Sequence, residues 1–269
     1  FSHKLLGYKN DFICLYGFLS YICSCKQILF MLEKFRTETA SRSVRGTIRG
    51  SILRHVMRHG NFMMTEIAEA TGYSLTTIAK YVAELRSDGM IAELERVNLH
   101  TKGRKAILYG VNPDSYYFLG VDMKTFELNI ALINFIGEVV RIERHTDFRF
   151  ENTHDVLDEL CNRVQRFIDT LEGIDPEKIA GANLNLSGRV DSCTGTSASV
   201  FNFEELHDTP LADFLKEKLG LKIFIENDTK AMAYGEYMSG KNKQYENLLY
   251  VNIGWGLGLG IVIDGKVYY

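Results

Sequence analysis

In the stretch MTEIAEATGYSLTTIAKYVAELRSDGMI, Ala68, Gly72 and Ile78 stand four and then six residues apart. A small residue, a turn glycine and a β-branched core residue at that spacing let two helices cross closely and near a right angle. Thr65 is placed to cap a short first helix carrying Ile67 and Ala68, and Gly72 can take the left-handed conformation that ends it. Ser74 then caps a longer helix whose inward positions are Ile78, Val82 and Leu85. Upstream, Val44, Ile48, Ile52 and Val56 keep helical spacing between Ser43 and His59. Arg45, Arg49, Arg54 and Arg58 fall on the rest of that helix, and Gly60 and Asn61 end it.

A hairpin follows on cue. In MIAELERVNLHTKGRKAILYGVN, Ile91, Leu94 and Val97 precede a polar turn, and AILYGV returns with strand-forming residues. Lys102, Arg104 and Lys105 surround Gly103 at its tip, a basic tip suited to a minor groove or the phosphates beside it. Residues 40–112 therefore read as a winged helix-turn-helix whose partner is a double-stranded DNA operator. The start of the second helix would face base edges in the major groove with Ser74, Leu75, Thr76, Thr77 and Lys80. Only Lys80 is a cation there, and no Arg, Asn or Gln is present for bidentate readout. Hydroxyl, apolar and phosphate contacts are expected, with part of the specificity from DNA shape.

Charge divides the same way. Residues 31–112 hold 13 Lys and Arg against 8 Asp and Glu, whereas residues 113–269 hold 15 against 25. A basic front and an acidic back imply two domains with different partners, the first a polyanion. The five cysteines include no C-x-x-C pair, so a reduced, cytoplasmic setting is expected. Residues 1–30 are read as an uncertain leader, with the native start expected at Met31. Asp11 and Lys26 bracket an uncharged run too short for a span of about 20 residues, so no membrane partner is expected.

From residue 116 the pattern changes. FLGVDM, ELNIALINF and EVVRIERH alternate as strands, and helix THDVLDELCNRVQRFIDTL and strand IAGANLNLSG follow. Helix PLADFLKEKLG, strand KIFIEN, helix DTKAMAYGEY and strands NLLYVNIG and LGIVID complete an α/β layer with a mixed sheet. Asp264-Gly265 is a hairpin turn signal. Asn227 and Asp228 would cap the helix that begins near Thr229, and they also suit a ring of vicinal alcohols. An Asn offers donors and acceptors, and a carboxylate accepts two hydroxyl protons.

IENDTKAMAYGE resembles the E-N-D-A-N-x-x-A-x-G-E motif of the ROK family, and NIGWGLGLGIVIDGKVYY resembles its G-T-G-x-G-x-G run followed by strand, D-G-K and strand. LSGRVDSCTG resembles the family's P-G-x-V-D-x-x-x-G loop. ROK proteins group sugar-responsive repressors, uncharacterised reading frames and sugar kinases on the actin-like, ribonuclease-H-like ATPase fold. The resemblance implies such a domain over residues 116–269, incomplete at its C-terminal side. It also implies sugar contacts at Gly188, Asn202, Asn227 and Asp228, with Asp228 matching the base that would deprotonate a sugar hydroxyl in a kinase. A sugar or sugar phosphate effector and a homodimer on a palindromic operator are expected. No metal or other cofactor is expected within these residues. The family's Cys-rich zinc site lies further along than this chain extends.

One stretch departs from the kinase pattern. ROK kinases carry D-x-G-G-T at the first hairpin, where this chain reads Asp122-Met123-Lys124-Thr125-Phe126, with a turn expected over Met123 to Glu127. Trp255 stands where the second glycine-rich loop should carry a phosphate-contacting threonine. Phosphoryl transfer depends almost wholly on positioning and charge stabilisation. Side chains at both turns would crowd a triphosphate, so the expected role is sensing without catalysis, with an ATP-dependent sugar kinase as the alternative.

Overall fold

Two packing units share the chain, the first ending at Tyr116 and the second beginning at Tyr117. The computed structural model describes residues 44–97, 106–201, 203, 210–239, 245–253 and 256–269.

The first unit opens with α1 (Val44–His59), which Gly60 ends at φ 85°, its N–H bonded to the Val56 carbonyl. A two-residue strand, β1 (Phe62–Met63), leads into α2 (Met64–Thr71). The N-cap is Met63 rather than the expected Thr65. Glu66 reaches back to accept from the Met63 backbone N–H at 2.7 Å, which satisfies that donor without a hydroxyl. Gly72 ends α2 at φ 73°, and α3 (Leu75–Ser87) follows from its Ser74 cap. Ile48, Ile52, Leu53 and Val56 of α1 are buried, as are Ile67 of α2 and Ile78, Val82 and Leu85 of α3. The wing strands β2 (Ile91–Val97) and β3 (Ala106–Val111) pair antiparallel, with β1 on the far side of β3.

The second unit is built on a five-stranded sheet. It comprises β4 (Tyr117–Lys124), β5 (Glu127–Asn134), β6 (Val139–His145), β7 (Ile179–Leu186) and, after a short hairpin of β8 (Val190–Asp191) and β9 (Thr196–Ser197), β10 (Ile223–Asn227). The order is β10-β7-β4-β5-β6, with β4, β5 and β6 antiparallel and β7 and β10 parallel to β4. One face packs a core of Leu119, Val121, Leu128, Ile130, Leu184 and Ile225 against α4 (His154–Asp169) and α5 (Leu211–Leu219). After β10 comes α6 (Asp228–Ser239), then β11 (Leu248–Ile253), β12 (Leu257–Ile263) and β13 (Lys266–Val267) in a separate antiparallel sheet. The turn between β12 and β13 is Asp264-Gly265, at φ 49° and 72°.

Candidate functional site

The first candidate surface is the N-terminal half of α3. Ser74 Oγ accepts from the Thr77 backbone N–H at 3.2 Å and lies 2.8 Å from Thr77 Oγ1. Leu75, Thr76 and Lys80 are exposed beside them, Leu75 at 48%. The opposite face of α3, with Ile78, Tyr81, Val82 and Leu85, is buried. Of the five residues named from the sequence, Ser74, Leu75, Thr76 and Lys80 are thus exposed, and Thr77 is half-buried against the cap. Arg49, 1% exposed on α1, holds the far end of this helix by ion pairs to Glu84 at 3.4 Å and to Asp88. Lys102, Arg104 and Lys105 lie outside the described residues.

The second surface is the junction of β10 and α6. Asn227 Oδ1 accepts from the Lys230 backbone N–H at 3.1 Å, which makes Asn227 the helix cap, and Asn227 Nδ2 donates to the Gly188 carbonyl at 3.0 Å. Gly188 sits at φ 87°, in the left-handed region, where a methyl would fall 2.8 Å from Ser199 Oγ. A side chain there would be strained and crowded, which accounts for the glycine. Asp228 uses both oxygens. Oδ2 accepts from Ser187 Oγ at 3.0 Å, and Oδ1 accepts from the Thr229 N–H at 2.6 Å and the Thr229 hydroxyl at 3.2 Å. Gly188, Asn227 and Asp228 are therefore brought together, and Asn202 lies outside the described residues.

Residues 118–269 match the sequence model of the ROK family. The chain belongs to the ROK family. Residues 47–92 match a winged helix-turn-helix DNA-binding family. The xylose repressor of Caldicellulosiruptor bescii is 26% identical over 218 residues, which cover 81% of this chain and 54% of that protein. The Escherichia coli transcriptional repressor Mlc is 20% identical over 226 residues, 84% of this chain and 55% of Mlc. A crystal structure described as a ROK family transcriptional regulator, homologous to E. coli Mlc, superposes with a TM-score of 0.67 at 26% identity, over 82% of this chain and 55% of that one. The chain thus spans about half the length of the relatives it matches. Its fold is a winged helix-turn-helix ahead of a ROK domain of the actin-like class.

Within the ROK domain the first hairpin is tighter than the sequence suggests. β4 continues through Lys124 and β5 starts at Glu127, so Thr125 and Phe126 alone form the turn, not Met123 to Glu127. Met123 points into the core at 4% exposure, and the pleat sends Asp122 and Lys124 to the other face. Lys124 Nζ lies 3.7 Å from Asp122 Oδ2 and 4.0 Å from Glu127 Oε2. Burial pushes the Asp122 carboxyl above its ordinary range, with Lys124 the largest opposing influence and Asp228 adding to the rise. The turn is also pinned from outside, because Phe150 N–H donates to the Thr125 carbonyl at 2.9 Å and Arg149 donates to that of Phe126 at 3.2 Å.

The glycine run divides by role. Gly258 and Gly260 of β12 face α6, where a methyl on Gly258 would overlap the Thr229 side chain and one on Gly260 would lie 2.8 Å from the Thr229 carbonyl oxygen. These two glycines serve close strand-on-helix packing. Gly256 has open space around it, and Gly254 and Trp255 lie outside the described residues.

A further feature was not anticipated. Asn129, Asp122, Asn185 and Glu226 are direct register partners on four adjacent strands and form a buried polar row on the face opposite the core. Asn129 Nδ2 reaches Asp122 Oδ2 at 3.5 Å, Asn183 Nδ2 donates to Asn185 Oδ1 at 2.7 Å, and Tyr269 donates to Glu226 Oε2 at 2.7 Å. Among the described residues no helix is long and apolar enough to cross a membrane, and no group of three or more His, Cys, Asp or Glu could hold a metal ion.

Proposed function

We propose that this chain is the DNA-reading and effector-binding part of a sugar-responsive transcriptional regulator, a repressor, whose ROK domain senses a sugar or sugar phosphate without turning it over. The observation that carries this reading is the open, Ser74-capped face of α3 on the same chain as the ROK junction of Gly188, Asn227 and Asp228. The relatives named above are themselves called repressors or a transcriptional regulator. The wing cations Lys102, Arg104 and Lys105 supply groove or phosphate contacts beside Lys80, and Asn202 joins the sugar-facing set. A homodimer sets two α3 helices about one DNA turn apart on a palindromic operator. A sugar that prefers one arrangement of the ROK domain changes the population of the DNA-competent state.

A role without catalysis is supported by the first hairpin, where the two-residue Thr125-Phe126 turn holds no glycine and Lys124 lies beside Asp122. No metal is invoked in these residues. The test is a gel-shift titration at fixed salt, using the DNA upstream of the protein's own gene, with and without a panel of pentoses, hexoses, N-acetylhexosamines and their phosphates. The reading requires DNA binding that at least one sugar changes severalfold. Failure to bind that DNA under every condition contradicts it.

A further inference from the structure

We propose that the Thr229 hydroxyl is a positioning group that couples the state of the Asp228 carboxylate to the β11–β12 sheet. The inference rests on the reading of Asp228 as part of the effector site and says how occupancy leaves that site. Thr229 is 3% exposed at the start of α6. Its hydroxyl donates to Asp228 Oδ1 at 3.2 Å and accepts from Asn252 Nδ2 of β11 at 3.4 Å. A hydroxyl has one proton and two lone pairs, so it can serve both neighbours at once. Asp228 is thereby linked to the loop after β7 through Ser187 and to the second sheet through Thr229.

The packing leaves little slack along this path. A methyl on Gly258 would meet Thr229 Cβ and Cγ2 at 3.0 Å, and β12 lies against the Thr229 carbonyl at Gly260. Interiors packed this closely pass a small shift of one element to the next rather than absorb it. A polyol hydroxyl that donates to Asp228 competes for lone pairs now used by Ser187 and Thr229. If the Thr229 proton is displaced, its hydroxyl reorients and the bond from Asn252 changes with it. Asn252 lies on the strand that leads to Gly254-Trp255-Gly256, so occupancy at Asp228 is read at the end of β11.

The test needs no known effector. In the full chain, amide hydrogen exchange over residues 248–253 and 257–263 is compared for Asp228 and Asp228→Asn in three backgrounds. These are the parent Thr229, Thr229→Val (same shape, no hydroxyl) and Thr229→Ser (hydroxyl kept). The coupling requires Asp228→Asn to change exchange in β11 and β12 severalfold in the parent and Thr229→Ser backgrounds, and by less than half as much with Thr229→Val. An unchanged response in the Thr229→Val background overturns it, as does the lack of any Asp228→Asn effect with Thr229 present. A second arm titrates D-xylose and N-acetylglucosamine while following the emission of Trp255, the one tryptophan in the sequence. If neither sugar binds, the effector reading loses support while the exchange arm still decides the coupling.

Discussion

Asn227 Nδ2 donates to the Gly188 carbonyl at 3.0 Å while Asn227 Oδ1 caps α6, so one side chain ties the loop after β7 to the first turn of the helix. The two ends of that amide can be separated by substitution. Asn227→Asp keeps a cap acceptor and loses the donor, whereas Asn227→Ala loses both. Thermal melts should place Asn227→Asp near the parent and Asn227→Ala lower by about 1 kcal/mol, the usual cost of a lost cap. Calorimetric sugar titration should show both variants weakened by about tenfold or more, about 1.4 kcal/mol. Full sugar affinity in Asn227→Asp would show that the Gly188 tether plays no part in binding.

Arg49 on α1 is buried and pairs with Glu84 and Asp88 at the C-terminal end of α3. Replacing it with methionine orphans no buried charge, because both carboxylates reach water, so the cost is that of the lost charge-assisted hydrogen bonds, about 1.5–3 kcal/mol at most. Arg49→Met should lower the denaturation midpoint of the first unit accordingly. Arg49→Lys should recover only part of the loss, since a single ammonium lacks the guanidinium fork.

His55 gives the first unit a pH dependence. Burial, then the neighbouring His59, hold its imidazole below the ordinary value of 6.5, with Glu66 acting the other way. The unfolded chain therefore takes up this proton first as pH falls. Its contribution to stability is complete above pH 6.5 and is lost as pH drops through the lowered folded value. Melting curves taken from about pH 8 to about pH 5 should show a decline that His55→Gln flattens.

Lys80 is the single cation among the α3 residues that face outward at its start. Lys80→Ala should weaken binding to specific and unrelated DNA alike and reduce the slope of log affinity against log salt by about 1. Ser74→Ala should instead cost about 1 kcal/mol of stability through the cap. A change in sequence preference with no change in salt slope would place Lys80 on a base edge rather than a phosphate.

Much of this arrangement is legible along the chain because it depends on local chemistry. Gly72 and Ser74 mark the helix break and the cap, and Asp264-Gly265 marks a turn, whatever surrounds them. Thr65 misled because Glu66 satisfies the Met63 N–H with a longer reach, so a better-looking hydroxyl goes unused. β1 is two residues long and carries no alternation to find. The polar row of Asn129, Asp122, Asn185 and Glu226 depends on the register of four strands, and no local window contains it. The roles of Gly258 and Gly260 likewise turn on what lies opposite, since a glycine needed for a phosphate and one needed for a helix look the same in sequence.

The central claim, sensing without turnover, is tested most directly in one reaction. The protein, its upstream DNA, magnesium ATP and the sugar that shifts DNA binding are combined, and DNA anisotropy and ADP release are followed together. A sensor that does not turn its sugar over gives a change in anisotropy with no ADP above the protein-free control. Steady ADP release that Asp228→Asn abolishes would contradict it.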